Sequence, residues 1–394
     1  MFDKAIELDP RAETYVKRGI VYSDSDDFDH ALADFDKAAV LDPNYALAQA
    51  NRAVVFSRLG RLDLAIEAFG TAIALDPTLA AAYWGRGTAY RDTGDLDHAL
   101  ADFDKFVQLD ARNPDAYNGR AVVHSIRREF GLAMLDFSKA LELDQKNVAT
   151  YYNRGLVHES KAELNQAMAD FDKVIEFDAN NAPAFNDRGN IYYLKNDYTR
   201  ALIDYDKAIE LSQKYSIAYF NRAQVYYDQD EMDKAFADYS KAIELSPNSA
   251  AAYVGRGAVY ATKGKHALAI TDYARALTLD PNYPVAYHYR GLERERDGDL
   301  QGALADYNKA IDLAPENAAP AYVSRGALYG KMAQLDLALI DLDKAITIDS
   351  GIALAYYYRA VAFREKGDLD RSRAEMKRAV SLDPTLASSP EGRK

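Results

Sequence analysis

A period of 34 residues constrains this chain more than any other feature of its sequence. At one position of this period an Arg followed by Gly or Ala recurs eleven times, and successive copies are 34 residues apart except for one interval of 35. The small residues after the Arg are Gly19, Ala53, Gly87, Ala121, Gly155, Gly189, Ala223, Gly257, Gly291, Gly326 and Ala360. Such self-similarity indicates an array of stacked units, each burying its apolar face against its neighbours. The array leaves no room for a separate globular domain.

The spacing of residues within each unit predicts two helices. An aromatic residue lies four positions before the small residue in ten of the eleven units, and Tyr, Phe or His usually lies three after it. This pattern places one apolar face on a first helix. Ala201, Tyr205 and Ala208 show the corresponding face of the second helix. Gly94 suits the end of a first helix, and Pro in the recurring "LDP" or "LSP" ends the second.

These residues resemble the tetratricopeptide repeat: aromatic, small and aromatic in the first helix, then Ala, aromatic, Ala and Pro. The "NRG" form of Asn153–Gly155 is similar to that of bacterial members. The resemblance implies an all-α, right-handed superhelical solenoid of antiparallel helix pairs. It also implies that the first helix of each pair lines a concave groove, while the second faces outward.

The repeat pattern predicts how the chain is divided. Residues 1–11 match the second half of a repeat, as at Phe35–Pro43, so we expect a natural protein that extends further at the N-terminus. The extra residue is expected between Pro315 and Tyr322, and residues 387–394 form a tail. The eleven units span about 12–45, 46–79, 80–113, 114–147, 148–181, 182–215, 216–249, 250–283, 284–317, 319–352 and 353–386.

The repeated Arg has an acidic counterpart in the second helix of ten units. The acid lies sixteen residues after the Arg and is Asp at 34, 102, 136, 170, 204, 238, 272, 306 and 341, and Glu at 375. Arg can bind a carboxylate through two hydrogen bonds. We therefore interpret the Arg as a structural link; the alternative is a ladder of cations for an anionic ligand. Arg52 should use another partner, because Ala68 occupies the acidic position of its unit.

Candidate binding residues are expected where the first helices line the groove, mainly one and two positions before each Arg. Asn offers a donor and an acceptor to the backbone of an extended peptide, and aromatic residues often dominate binding energy. The alternatives are that the Asn residues only suit a polar surface and that the single Trp only fills space. The candidates are Asn51, Trp84, Asn118, Tyr152, Asn153, Asn186, Asn190, Phe220, Asn221 and His288. A carboxylate clamp like that of chaperone adaptors is disfavoured, since Asn51 is followed by Gly85 and Asn153 by Asp187 at the same position.

Composition narrows the function classes. The net charge of −13 disfavours nucleic acid as a partner, and no apolar run is long enough for membrane insertion. The chain has no Cys, and His124 and His158 occupy a packing position, so neither a metal nor another cofactor is expected. No nucleophile and base are arranged for catalysis, and residues 1–10 lack the basic flank and apolar core of a signal peptide, so we expect a cytoplasmic protein that is not an enzyme.

The sequence thus predicts a non-catalytic scaffold that holds protein or peptide segments in the groove. The alternative is a regulatory or substrate-recruiting arm of a larger enzyme whose catalytic domain lies outside this chain. Self-association stays open.

Overall fold

The computed structural model describes residues 2–388, and the regular structure of that part is helical. The α-helices are α1 Phe2–Leu8, α2 Ala12–Asp24, α3 Phe28–Leu41, α4 Ala46–Arg58, α5 Leu62–Leu75, α6 Ala80–Thr93, α7 Leu96–Leu109, α8 Pro114–Ile126, α9 Phe130–Leu143, α10 Val148–Ser160, α11 Leu164–Phe177, α12 Ala182–Leu194, α13 Tyr198–Leu211, α14 Ser216–Asp228, α15 Met232–Leu245, α16 Ala250–Thr262, α17 His266–Leu279, α18 Pro284–Arg296, α19 Leu300–Leu313, α20 Ala319–Lys331, α21 Leu335–Ile348, α22 Ala353–Glu365 and α23 Leu369–Leu382. Short 3₁₀ helices cover Pro315–Asn317 and Pro384–Ser388. The predicted all-α class is confirmed.

Helix ends follow local chemistry. Gly94 ends α6 in the left-handed conformation with φ 85°, as its sequence context predicts. The next residue, Asp95, caps α7 by accepting a hydrogen bond from the backbone N–H of His98 at 3.3 Å. A left-handed residue next to a capping residue reverses the chain within three positions, which places α7 beside α6.

Within each helix pair, a large side chain of the second helix packs on a small residue of the first helix. In α11 the fully buried Phe171 lies against Gly155 of α10, and a Cβ built on Gly155 would come within 2.8 Å of the Phe171 ring. Gly155 therefore has no room for a side chain unless the ring shifts, and the corresponding residue is Gly or Ala in each repeat.

The helices form two compact units, and the boundary between them lies within α12, after Ile191. We call them the first and the second compact unit, as distinct from the 34-residue repeats. The unit that ends at Ile191 buries a Phe at the same position of successive second helices: Phe35, Phe69, Phe103, Phe137 and Phe171.

The unit that begins at Tyr192 uses different residues at that position. Tyr205, Tyr239, Tyr273 and Tyr307 are buried there, followed by Leu342. Each Tyr places a hydroxyl at this buried position, whereas the Phe side chains of the first compact unit are hydrocarbon only.

The extra residue lies in the segment expected from the sequence. Four residues, 280–283, connect α17 to α18, whereas five, 314–318, connect α19 to α20, and Pro315–Asn317 form a 3₁₀ turn there. Met1 of the predicted half-repeat and residues 389–394 of the predicted tail lie outside the described residues. Among residues 2–388, no helix has both the length and the hydrophobicity that a membrane span requires.

Candidate functional site

Most of the repeated Arg residues pair with the acid of their own helix pair. Arg154 donates from Nε to Asp170 Oδ2 at 2.8 Å and from Nη2 to Asp170 Oδ1 at 2.6 Å. These hydrogen bonds outweigh the opposing effect of burial and raise the pKa of Arg154. The same two-bond arrangement joins Arg18 to Asp34, Arg86 to Asp102, Arg120 to Asp136, Arg222 to Asp238, Arg256 to Asp272, Arg290 to Asp306 and Arg325 to Asp341. The structural interpretation of the Arg is confirmed.

Several of these Arg residues also bind the preceding pair, which the sequence interpretation missed. Arg120 donates from Nη1 to Asp104 of α7 at 2.7 Å, so one guanidinium joins three helices. The signal was present in the sequence as a second Asp two positions after the first, as in Asp102–Asp104. The same contact joins Arg188 to Asp172, Arg222 to Asp206 and Arg359 to Asp343.

Arg52 is the predicted exception and is confirmed as one. Its Nη1 donates to Asp36 at 3.0 Å, whereas its Nε is buried without a hydrogen-bond partner. The missing partner corresponds to Ala68, which stands where other units carry an acid.

Most predicted binding residues of the first compact unit form hydrogen bonds with neighbouring residues of the chain. Asn153 donates to Asn118 Oδ1 at 3.1 Å, which links successive first helices. Tyr152 donates to Asp187 Oδ2 at 2.7 Å, and burial raises the pKa of Asp187. Asn51 donates to the Leu47 carbonyl of its own helix at 2.8 Å.

Two sequence interpretations need correction in this unit. Asn186 is only 2% exposed and donates to Asp187 at 2.9 Å, so its amide lies within the helix layer rather than on a binding surface. The residue one position before the Arg was expected to line the binding groove. At Gly85 and Gly119 packing constrains this residue instead, because an added Cβ would overlap the Phe ring of the preceding pair. Trp84 is 44% exposed and is available for contact.

The second unit contains a cavity that the sequence indicated only through Phe220. We call it the aromatic hollow; its volume is about 260 Å³, and it extends over the first helices α14, α16 and α18. It is lined by Tyr193, Phe220, Gln224, Tyr227, Asp228, Tyr239, Ala251, Val254, Gly255, Ala258, Tyr283, Val285 and Tyr289. An adjoining hollow of about 180 Å³ shares Tyr227, Ala258 and Tyr289 with it.

Core residues hold the walls of the aromatic hollow in place. Phe220 packs on Tyr239 with ring centroids 5.7 Å apart, and Tyr289 packs on Tyr273 at 5.9 Å. Tyr193 donates to Asp228 Oδ2 at 2.7 Å, which joins the end of α12 to the end of α14. The walls are therefore fixed before any ligand arrives.

The remaining candidates of the second unit lie apart from one another. His288 lines a separate cavity of about 90 Å³ beside α20, and its Nε2 lies 3.0 Å from Ser324 Oγ. Burial lowers the pKa of His288 to about 4, so the ring is neutral at physiological pH. Asn221 is half-buried on α14 and does not line the aromatic hollow; Asn190 is half-buried on α12 in the first unit.

Two His residues considered for metal binding have hydrogen-bond partners within their own helix pairs. His124 Nδ1 lies 2.6 Å from Glu129 Oε2, and His158 Nδ1 lies 2.7 Å from Glu163 Oε2. Across residues 2–388, no group of three or more acidic or His side chains is placed to hold a metal ion.

Family models cover most of the array. Residues 16–80, 56–116, 85–148 and 325–387 match one model described as tetratricopeptide repeat, and 148–181 and 250–283 match two others of that description. Residues 189–230 and 224–264 match a model described as TPR repeat. The chain belongs to the tetratricopeptide repeat family. No curated protein matches this tetratricopeptide repeat chain.

The chain is similar to several solved structures. The chain is similar to one in the APC/C hetero-tetramer Cut9–Hcn1, with 15% identity over 100% of this chain and 90% of that one, and a TM-score of 0.58. YrrB, described as a TPR protein with an unusual peptide-binding site, shows 26% identity over 46% of this chain and 95% of its own, with a TM-score of 0.37. Pseudomonas aeruginosa pilF shows 18% identity over 51% and 92%, with a TM-score of 0.47. The first of these supports the tetratricopeptide fold alone.

Proposed function

We propose that the chain is a non-catalytic scaffold that binds an extended protein or peptide segment through the first helices of its repeats. Family membership supports a role in protein interaction. The observation that carries the proposal is the aromatic hollow, which spans three successive first helices and continues into an adjoining hollow.

The size of the aromatic hollow suits a side chain of a partner protein. A volume of about 260 Å³ is below the roughly 300–1,000 Å³ that is usual for small-molecule sites. Tyr and Phe walls supply large contact areas at low entropic cost, since each side chain has few rotatable bonds. A row of two hollows along successive helices supports binding of successive side chains of one extended segment.

Selection from a phage-displayed library of random peptides tests the proposal. Ala258 borders both hollows, so Ala258→Trp should fill them. Ala237 is an exposed residue of α15 that lines neither hollow, and Ala237→Trp is the matched control. We expect the unmodified chain and Ala237→Trp to enrich the same peptides and Ala258→Trp to lose them, with unchanged circular dichroism. Equal enrichment by both variants, or no enrichment by the unmodified chain, would refute the proposal.

The predicted amides of the two compact units need a separate test. The same selected peptides, or captured partner proteins, are compared between the intact chain and a variant with the half-buried Asn118, Asn153 and Asn221 changed to Ala. Equal recovery would exclude the amide groups from the binding surface.

A further inference from the structure

We infer that the aromatic hollow binds a cationic side chain, preferentially Arg, of the bound segment. This inference rests on the proposed function and adds the chemistry of the residue that is recognised. Two features of the hollow carry it, its charge and its aromatic walls, and a hydroxyl on its floor supplies a further acceptor.

The charge of the aromatic hollow is negative. Asp228 is the one charged residue among the described residues that line it, and no Lys, Arg or His lines it. Asp228 accepts a hydrogen bond from Tyr193 through Oδ2, and no described residue donates to its Oδ1. An exposed carboxylate oxygen at an aromatic cavity is complementary to a guanidinium or an ammonium group.

The walls favour a cation over an uncharged polar group. Tyr193, Phe220, Tyr227 and Tyr289 all line the hollow. Aromatic faces attract cations, and a planar guanidinium can also stack on them. The chain already shows this preference in its own packing, since the Arg200 guanidinium lies 4.6 Å from the centre of the Tyr192 ring.

The floor of the aromatic hollow carries a hydroxyl group. Tyr239 is 3% exposed, lines the hollow, and has no hydrogen-bond partner for its hydroxyl among residues 2–388. The equivalent hydroxyl of Tyr307 is satisfied by Glu295 Oε2 at 2.8 Å. A ligand donor that reaches the floor can therefore bond to the Tyr239 oxygen. Guanidinium has five donors, enough for both the Tyr239 oxygen and the Asp228 carboxylate.

Fluorescence anisotropy with peptides selected by the unmodified chain tests the inference. Each selected peptide is resynthesised with its Arg replaced by citrulline, which keeps the shape and removes the charge, by Lys, or by Leu. We expect citrulline and Leu to weaken binding by about tenfold or more and Lys to weaken it less, since a charge-assisted hydrogen bond and a cation–π contact are lost.

Variants of the chain assign the effect to the aromatic hollow. Asp228→Asn should abolish the discrimination between Arg and citrulline, and Tyr227→Leu should weaken binding of the Arg peptide. Asp230→Asn removes the same charge from an exposed turn residue that does not line the hollow, and it should leave the discrimination unchanged.

The outcomes separate this inference from the proposed function. Peptides that bind the hollow, as judged by their loss in Ala258→Trp, but tolerate citrulline or prefer Leu would overturn the cationic ligand and leave the scaffold proposal intact. Selected peptides without any enrichment of Arg or Lys would overturn it as well. Absence of peptide binding at the hollow would overturn both.

Discussion

Removal of Asp170 should destabilise the α10–α11 pair more than removal of any exposed acid in the same helix. Asp170 is 4% exposed and receives two hydrogen bonds from Arg154. Arg154 has no acid in the preceding pair, because Ser138 stands sixteen residues before it and bonds to the Met134 carbonyl instead. Asp170→Ala therefore leaves a largely buried guanidinium without a carboxylate.

The expected cost follows from this geometry. Loss of one partner from a buried ion pair costs about 3–5 kcal/mol. The Arg154 side chain retains 22% exposure, so water can reach part of it and the lower end, about 3 kcal/mol, is expected. Asp136→Ala should cost about 1–2 kcal/mol less, since Arg120 keeps its bond to Asp104.

Measurements on individual helices suit a repeat array, because its free energy of unfolding is approximately the sum of the stabilities of the repeats and of the contacts between neighbouring repeats. Hydrogen exchange of amides in α10 and α11 reports the free energy of local opening, and urea unfolding gives the total. Glu176→Ala is the control, because Glu176 lies in α11 in an exposed pair with Lys173 and should cost about 0–1 kcal/mol. If Asp170→Ala and Glu176→Ala lower the free energy of opening equally, the Arg–acid pairs are not the structural links described above.

Three further substitutions test separate features. Ala68→Asp should raise the free energy of unfolding by about 1 kcal/mol, since the new carboxylate can accept from the buried Nε of Arg52, and a fall in the urea midpoint would contradict this. Ala162 has φ 57°, so Ala162→Gly should raise the thermal midpoint through a gain of about 0.5–1 kcal/mol; a lower midpoint would show that its side chain makes contacts that matter more. The pKa of His288 falls from 6.5 to about 4 on folding, so the unfolded chain binds a proton that the native chain does not, and stability should fall by up to about 3 kcal/mol as pH decreases from 6.5 to 4. His288→Gln should remove that part of the pH dependence, measured by hydrogen exchange in α18, and an unchanged slope would exclude His288 as its source.

The helix pairs and the Arg–acid pairs could be predicted because their determinants recur. Each unit repeats the same spacing of small and aromatic residues, so an exception in one copy, such as Ala68, stands out against the others. The turn at Gly94 was predictable for a different reason, since a left-handed helix end is a local property of the backbone.

The surface residues were less predictable because their orientation depends on neighbouring pairs. Asn186 and Asn153 differ by one position relative to the repeated Arg, yet Asn186 is buried and Asn153 is half-buried. A Phe ring of the preceding helix pair leaves no room for a side chain at Gly85. The spacing of residues within one repeat does not reveal this contact.

The aromatic hollow was missed because its residues occupy different positions of the repeat. Tyr193 and Tyr227 lie four positions after the small residue of their units, whereas Tyr289 lies two positions before it. These residues do not share one position of the repeat. Only the stacking of successive helix pairs brings Tyr227 and Tyr289 to one cavity.

The change from Phe to Tyr at the buried position of the second helix gives a test that needs no ligand. A buried hydroxyl without a partner costs free energy, whereas one with a partner contributes about 1 kcal/mol. Tyr307→Phe should therefore lower the free energy of unfolding by about that amount, since it removes the bond to Glu295. Tyr239→Phe should leave it nearly unchanged, because the Tyr239 hydroxyl has no partner among the described residues and is not among their buried unpartnered groups, while the change should weaken binding of the Arg peptides. If urea unfolding shows that Tyr239→Phe destabilises the chain as much as Tyr307→Phe, the Tyr239 hydroxyl is already satisfied within the fold. The floor of the aromatic hollow would then offer nothing to a ligand.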